Sequence, residues 1–163
     1  MSINLNNIFE EAINHCRWKK VLHNVLKEIN IVSYKNKTFD EIITDIYRIC
    51  NPINGLGMLT IYDITSCICN FYNVNINKVY IVGKGPIRAI KLLKLKTKMQ
   101  IINDTIKLRY IDIKDIINAF DVNNIAQPQH IRTTTNGDIL ESFICNWQKT
   151  ISDTNGEFSS YAK

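Results

Sequence analysis

Apolar residues return at three- and four-residue steps along most of this chain, the spacing that gathers side chains onto one face of an α-helix. Ile8, Phe9, Ala12, Ile13 and Cys16, followed by Val21, Leu22, Val25, Leu26 and Ile29, mark one long or one broken amphipathic helix over residues 6–29. Phe39, Ile42, Ile43, Ile46, Tyr47 and Cys50 repeat the pattern, and here the start is marked as well. Thr38 and Glu41 stand three apart, so hydroxyl and carboxylate can each satisfy an amide that a helix start leaves unbonded. A chain patterned this way is expected to be mainly α.

The residues between these stretches set the other elements. Pro52 stops the second helix near residue 51. The turn Asn54-Gly55-Leu56-Gly57 leads into a third helix over residues 60–73, carried by Ile61, Ile64, Thr65, Ile68, Cys69 and Tyr72. Residues 79–82 are either a short strand or the extended approach to Gly83-Lys84-Gly85-Pro86. Pro86 suits the first position of a fourth helix, which is expected to end near Lys96. Residues 107–111 alternate weakly and form a candidate strand, able to pair with 79–82 as one short two-stranded β element. Asp112 is placed to cap a helix carrying Ile113, Ile116, Ile117 and Phe120. Residues 121–135 read as a loop. Asn136-Gly137 is a turn, after which Asp138 caps a last helix through Ile139, Phe143, Ile144 and Trp147.

At 163 residues one hydrophobic core is enough, and 45% hydrophobic with 21% charged residues is an ordinary globular composition. The expected arrangement is a single compact helical domain over residues 1–151, with two glycine hairpins, and a polar tail over 152–163. Glu10, Glu11, Arg17, Lys19 and Lys20 interrupt the first apolar stretch, and nowhere do roughly 20 apolar residues run together. These features argue against a signal peptide and a membrane partner, and for a cytoplasmic or nuclear protein. The 5 cysteines, Cys16, Cys50, Cys67, Cys69 and Cys145, sit inside apolar patterns. That suits buried thiols in a reducing compartment better than a disulfide framework.

Net charge is +5, but its distribution matters more than its size. Residues 64–103 contain no Asp or Glu, while Lys78, Lys84, Arg88, Lys91, Lys94, Lys96 and Lys98 all fall between 78 and 98. Such clustering marks a surface that attracts anions.

The two glycine turns invite comparison. Gly55-Leu56-Gly57 is followed by Ile61 and Ile64, and Gly83-Lys84-Gly85 by Ala89 and Leu92, at the same offsets. Each is a Gly-x-Gly followed by one apolar helix face, and together they resemble the helix-hairpin-helix motif of DNA repair and recombination proteins. In that motif glycine lets the backbone approach a phosphate closely, and free amides at the following helix start donate to it. The resemblance implies contacts with nucleic-acid backbone, DNA favoured, without sequence preference. It places them on Gly55, Leu56, Gly57, Thr60, Gly83, Lys84, Gly85 and Arg88. This sequence departs from the family in Lys84, which stands where an apolar residue is usual, and in the β-like stretch before Gly83. A second resemblance covers residues 55–148. The run Leu59-Thr60-Ile61-Tyr62-Asp63, then Val79-Tyr80, then Glu141-Ser142-Phe143-Ile144-Cys145, is similar in order to a family of small uncharacterised prokaryotic proteins, and it implies no activity.

On a helix from Pro86, Arg88, Lys91 and Lys98 share a side with Lys84 at its N-terminal end, while Ala89, Ile90 and Leu93 point inward. This basic stripe extends the expected phosphate contacts. The sequence has no Walker lysine-serine pair, no His-Glu-x-x-His and no Cys-x-x-Cys, and His15, His23 and His130 lack partner spacing. A non-enzymatic binding protein is favoured, with no cofactor or metal expected. An alternative is capture of a small phosphorylated ligand such as a nucleotide by the amides of residues 84–87 with Lys84 and Arg88, which would suit a viral or defence-related protein. A further alternative is a protein-interaction module using Trp18, Tyr62, Tyr72 and Trp147, although Trp147 continues an apolar helical stripe and so suits the core.

Overall fold

The computed structural model describes residue 25 and residues 27–151. Most of the helix expected over 6–29, with His15, Cys16, Trp18 and His23, and the tail over 152–163 lie outside the described residues.

The architecture is mostly helical with a small three-stranded sheet. Helix α1 (Phe39–Cys50) starts as its sequence predicts: Thr38 Oγ1 accepts from the Glu41 amide, and the Glu41 carboxylate accepts from the Thr38 amide at 2.8 Å. Helix α2 (Met58–Phe71) begins two residues earlier than expected, because Gly57 serves as its N-cap. There follow β1 (Lys78–Tyr80), α3 (Lys84–Leu92), β2 (Lys98–Ile102), β3 (Ile106–Asp112), α4 (Ile113–Val122), α5 (Gln129–Arg132) and α6 (Gly137–Trp147). Short 3₁₀ turns at Ile31–Tyr34 and Gln148–Thr150 flank this set. Among the described residues no helix is long and apolar enough to cross a membrane.

The sheet has the order β1-β3-β2 with both pairings antiparallel. Both candidate strands form and pair as β1 with β3, with Val79 opposite Ile111 and Tyr80 opposite Tyr110. Strand β2 was not expected, since Lys98 reads in sequence as a continuation of the basic helix. That helix stops sooner. The Leu95 amide reaches back to the Ile90 carbonyl and the Lys94 amide to the Lys91 carbonyl, both at 3.1 Å, with Lys94 at φ 54. This helix-ending turn usually carries glycine at the position Lys94 fills. Beyond it, Asn103 and Asp104 both adopt positive φ, 47 and 58, and the Thr105 amide donates to the Ile102 carbonyl. Two successive left-handed residues match the right-handed twist of a hairpin, so β2 turns back directly into β3.

Four further expectations are corrected. Pro86 occupies the third position of α3, not the first. Asn136 rather than Asp138 caps α6, its Oδ1 accepting from the Asp138 amide at 2.9 Å. Asp112 precedes α4 without capping it, because its carboxylate is held by Lys98. The expected loop 121–135 also contains the short α5.

Alternation along the strands gives the sheet two unlike faces. On the first, Tyr80, Ile102, Ile106 and Leu108 are buried against α1 and α2, where Ile42, Ile43, Ile46 and Ile68 are fully enclosed. On the second, Val79, Ile81 and Ile111 are sealed beneath α3, α4 and α6 by Ala89, Ile90, Ile116, Phe120, Leu140 and Ile144. Those helices cover β1 and one end of β3. The rest of the second face stays open: Met99 is 51% and Ile101 57% exposed, and opposite them stand exposed Arg109 and Lys107.

Candidate nucleic-acid interface

Helices α1 and α2 flank the first glycine turn. Gly55 has φ 94, which a side chain would strain, and Gly57 begins α2 with no side-chain cap and open space where a Cβ would stand. Leu56 is buried in the core of the first face, and Thr60 is half-buried, so of the expected contacts here the two glycines reach solvent. The second turn is different. It is entered from β1 instead of a helix, and Gly85 lies so close to the Cys145 sulfur on α6 that a Cβ would collide with it. Packing of α3 on α6 explains that glycine.

The structure nevertheless sets the two turns side by side. A Cβ on Gly83 would stand 3.4 Å from Leu59 Cδ1, in the first turn of α2. Gly83 and Gly57 are both N-caps without a side-chain hydrogen bond, so two helix starts adjoin each other; Gly57 is exposed, whereas Gly83 is buried and Pro86, third in α3, has no amide to give, and Lys84 is exposed beside them.

Sequence reasoning missed an acidic cluster at the same junction. Asp138 Oδ1 accepts from the Tyr62 hydroxyl at 3.1 Å and Oδ2 from Asn70 Nδ2 at 3.0 Å. Burial and the Asp138 charge push Asp63 up to about 6, although part of its side chain reaches solvent. Burial, then Asp138 and Asp63, push Glu141 up to about 7. Tyr62 is 3% exposed, so its ring belongs to the core, and that burial foremost raises its phenol. Asp63 on α2 and Glu141 and Cys145 on α6, far apart in sequence, thus lie near the two glycine turns. Among the described residues no group of His, Cys, Asp and Glu is placed to hold a metal ion. Cys50 and Cys69 are buried thiols, pushed by burial to about 11 and about 12.

The expected basic stripe divides. Arg88 is half-buried and occupied, its guanidinium donating to Gln148 Oε1 at 3.0 Å and to the Ile151 carbonyl at 3.2 Å. Lys98 lies on β2, ion-paired with Asp112 on the first face of the sheet. Lys84 and Lys91, seven residues apart and so on one side of α3, remain exposed. Lys91 joins residues that the sequence did not bring together. With Lys96, Thr97 and Arg109 it rims a groove of about 450 Å³ floored by Ile81, Ile87, Ile90 and Leu95. Lys107 and Met99 continue that surface across the open half of the sheet. Among the described residues, Lys84, Lys91, Lys96, Lys107 and Arg109 take part in no ion pair. Asp115 enters an adjoining groove that shares Lys96. The sequence held a signal for this site, because Lys107 and Arg109 alternate with Ile106 and Leu108. Read together, they put two cations on the face opposite the buried pair.

Comparison with protein families, characterised proteins and solved structures finds no match to this chain.

Proposed function

We propose that this protein binds nucleic acid through its phosphate backbone, without sequence preference, along a path from the open half of the sheet to the glycine turns. The observation that carries this reading is the run of exposed cations without ion-pair partners among the described residues: Lys107 and Arg109 on β3, Lys96 after α3, then Lys91 and Lys84 along α3. Folding gives no reason for five such charges to adjoin. A polyanion does, because each phosphate neutralised releases condensed counterions. At the far end, amides at the exposed start of α2 can donate to one further phosphate.

The path dictates which substitutions matter. Alanine at Lys84, Lys91 or Lys107 should each weaken binding and reduce the salt slope by up to about one unit. Alanine at Lys98, which is committed to Asp112, should do neither. If Lys98→Ala weakens binding as much as Lys91→Ala, the path is wrong.

The groove favours a second reading. Its apolar floor beneath Lys91, Lys96 and Arg109 suits a small phosphorylated ligand such as a nucleotide. A nucleotide held there would raise the melting temperature as its concentration passes the dissociation constant. It would depend on Lys91, Lys96 and Arg109 and be indifferent to Lys84. Stabilisation by a nucleotide, with oligonucleotides inert, would establish this reading over the first.

A further inference from the structure

We propose that β2 pairs two copies of this chain, antiparallel and centred on Gln100, so that two three-stranded sheets join into one. The strand order, β1-β3-β2, leaves one side of β2 with no neighbour among the described residues. No described backbone group pairs with residues 98–102 on that side. Strands left so usually carry a device that blocks addition of another, such as a proline, a bulge or an inward-pointing charge. Strand β2 is Lys98-Met99-Gln100-Ile101-Ile102, and its register with β3 is unbroken. Its single charge, Lys98, is already held by Asp112.

The exposed side chains fit the same partner. Antiparallel pairing about Gln100 puts Met99 of one copy opposite Ile101 of the other, twice over by symmetry. Both are more than half exposed in the single chain and lie on the open half of the sheet. Directly opposed apolar side chains are the ordinary unit of sheet stabilisation, and this register opposes no two charges. The remaining strand position sets Lys98 against Ile102 of the second copy. A five-residue strand is a small contact beside the roughly 1,200–2,000 Å² of a stable interface, so the pairing is weak and depends on concentration. Its consequence is that the two open half-faces, each with Lys107 and Arg109, become one continuous basic surface.

This inference does not rest on nucleic-acid binding and is tested without it. Sedimentation velocity of the full chain, from micromolar to near-millimolar concentration, should show the monomer giving way to dimer. Ile101→Lys should stay monomeric throughout, with its circular-dichroism spectrum and melting temperature unchanged. The register is tested by cross-linking. A mixture of Met99→Cys and Ile101→Cys chains should form an interchain disulfide on mild oxidation in greater yield than either variant alone or the parent, which carries its own half-buried cysteines. A parent that remains monomeric across the range would overturn the proposal. So would an Ile101→Lys variant that still dimerises, or a Met99→Cys chain that cross-links to itself as well as the mixture does.

Discussion

The two halves of the second sheet face are built from adjoining strands, yet they differ in almost every physical respect. Under α3, α4 and α6 the strands present Val79, Ile81 and Ile111, each 5% exposed or less. A few residues away on β2 and β3 the same face presents Met99, Ile101, Lys107 and Arg109 to solvent. The covered half has a complete explanation in folding, since it removes apolar surface from water. The open half has none, and its cations continue onto α3 through the groove. Where stability does not account for a cluster of residues, binding is the explanation to test.

That contrast can be broken or sharpened by substitution. The largest effect is expected in the covered half: Ile111→Ala removes a fully buried side chain and should cost about 3 kcal/mol, read by urea denaturation. The helix layer above it should be nearly as sensitive. Gly85→Val drives a side chain into Cys145 and should cost about 2 kcal/mol, part of it recovered in a Cys145→Ala background. At the glycine junction the effect becomes one of pH. Glu141 binds its proton more tightly in the folded chain than in the unfolded one, because burial and Asp138 raise it to about 7. Its contribution to stability is therefore full below its unfolded value and lost as pH rises through 7. Glu141→Gln should match the parent near pH 4 and exceed it above pH 7 by on the order of 1 kcal/mol, seen in melting temperature against pH. The smallest effect belongs to the open half, where Lys107→Ala and Arg109→Ala should change stability by no more than about 0.5 kcal/mol. A large loss from either would mean that the open half is structural after all.

How much of this was legible in the sequence depended on whether a feature is local. The capping box at Thr38 and Glu41 and the periodicity of α1 and α2 are set by neighbouring residues and were read from them, and the weak alternation of residues 107–111 was enough to offer β3 as a partner for β1. Strand β2 was missed because Lys94 ends α3 in a left-handed conformation that glycine usually signals, so the basic run looked like one helix. That Lys98 and Arg88 have partners within the fold was out of reach for another reason. Their partners, Asp112 on one side and Gln148 with Ile151 on the other, are 14 to 63 residues away. The acidic junction was hidden likewise, since Asp63 and Glu141 meet only when α2 and α6 pack. The two Gly-x-Gly turns look alike in sequence, yet Gly55 turns the chain with a positive φ while Gly85 makes room for a sulfur atom.

Nucleic-acid binding by the open half is tested most directly by anisotropy titration of labelled duplex DNA, single-stranded DNA and RNA across a series of salt concentrations. The parent should bind at low salt and lose affinity steeply as salt rises, with a slope of about 0.9 for each phosphate contacted on duplex DNA. The Lys91→Ala/Arg109→Ala double variant, folded as the parent is, should bind more weakly with a slope shallower by up to about two units. No binding to any of the three at low salt, or binding that the double variant leaves untouched, would contradict it.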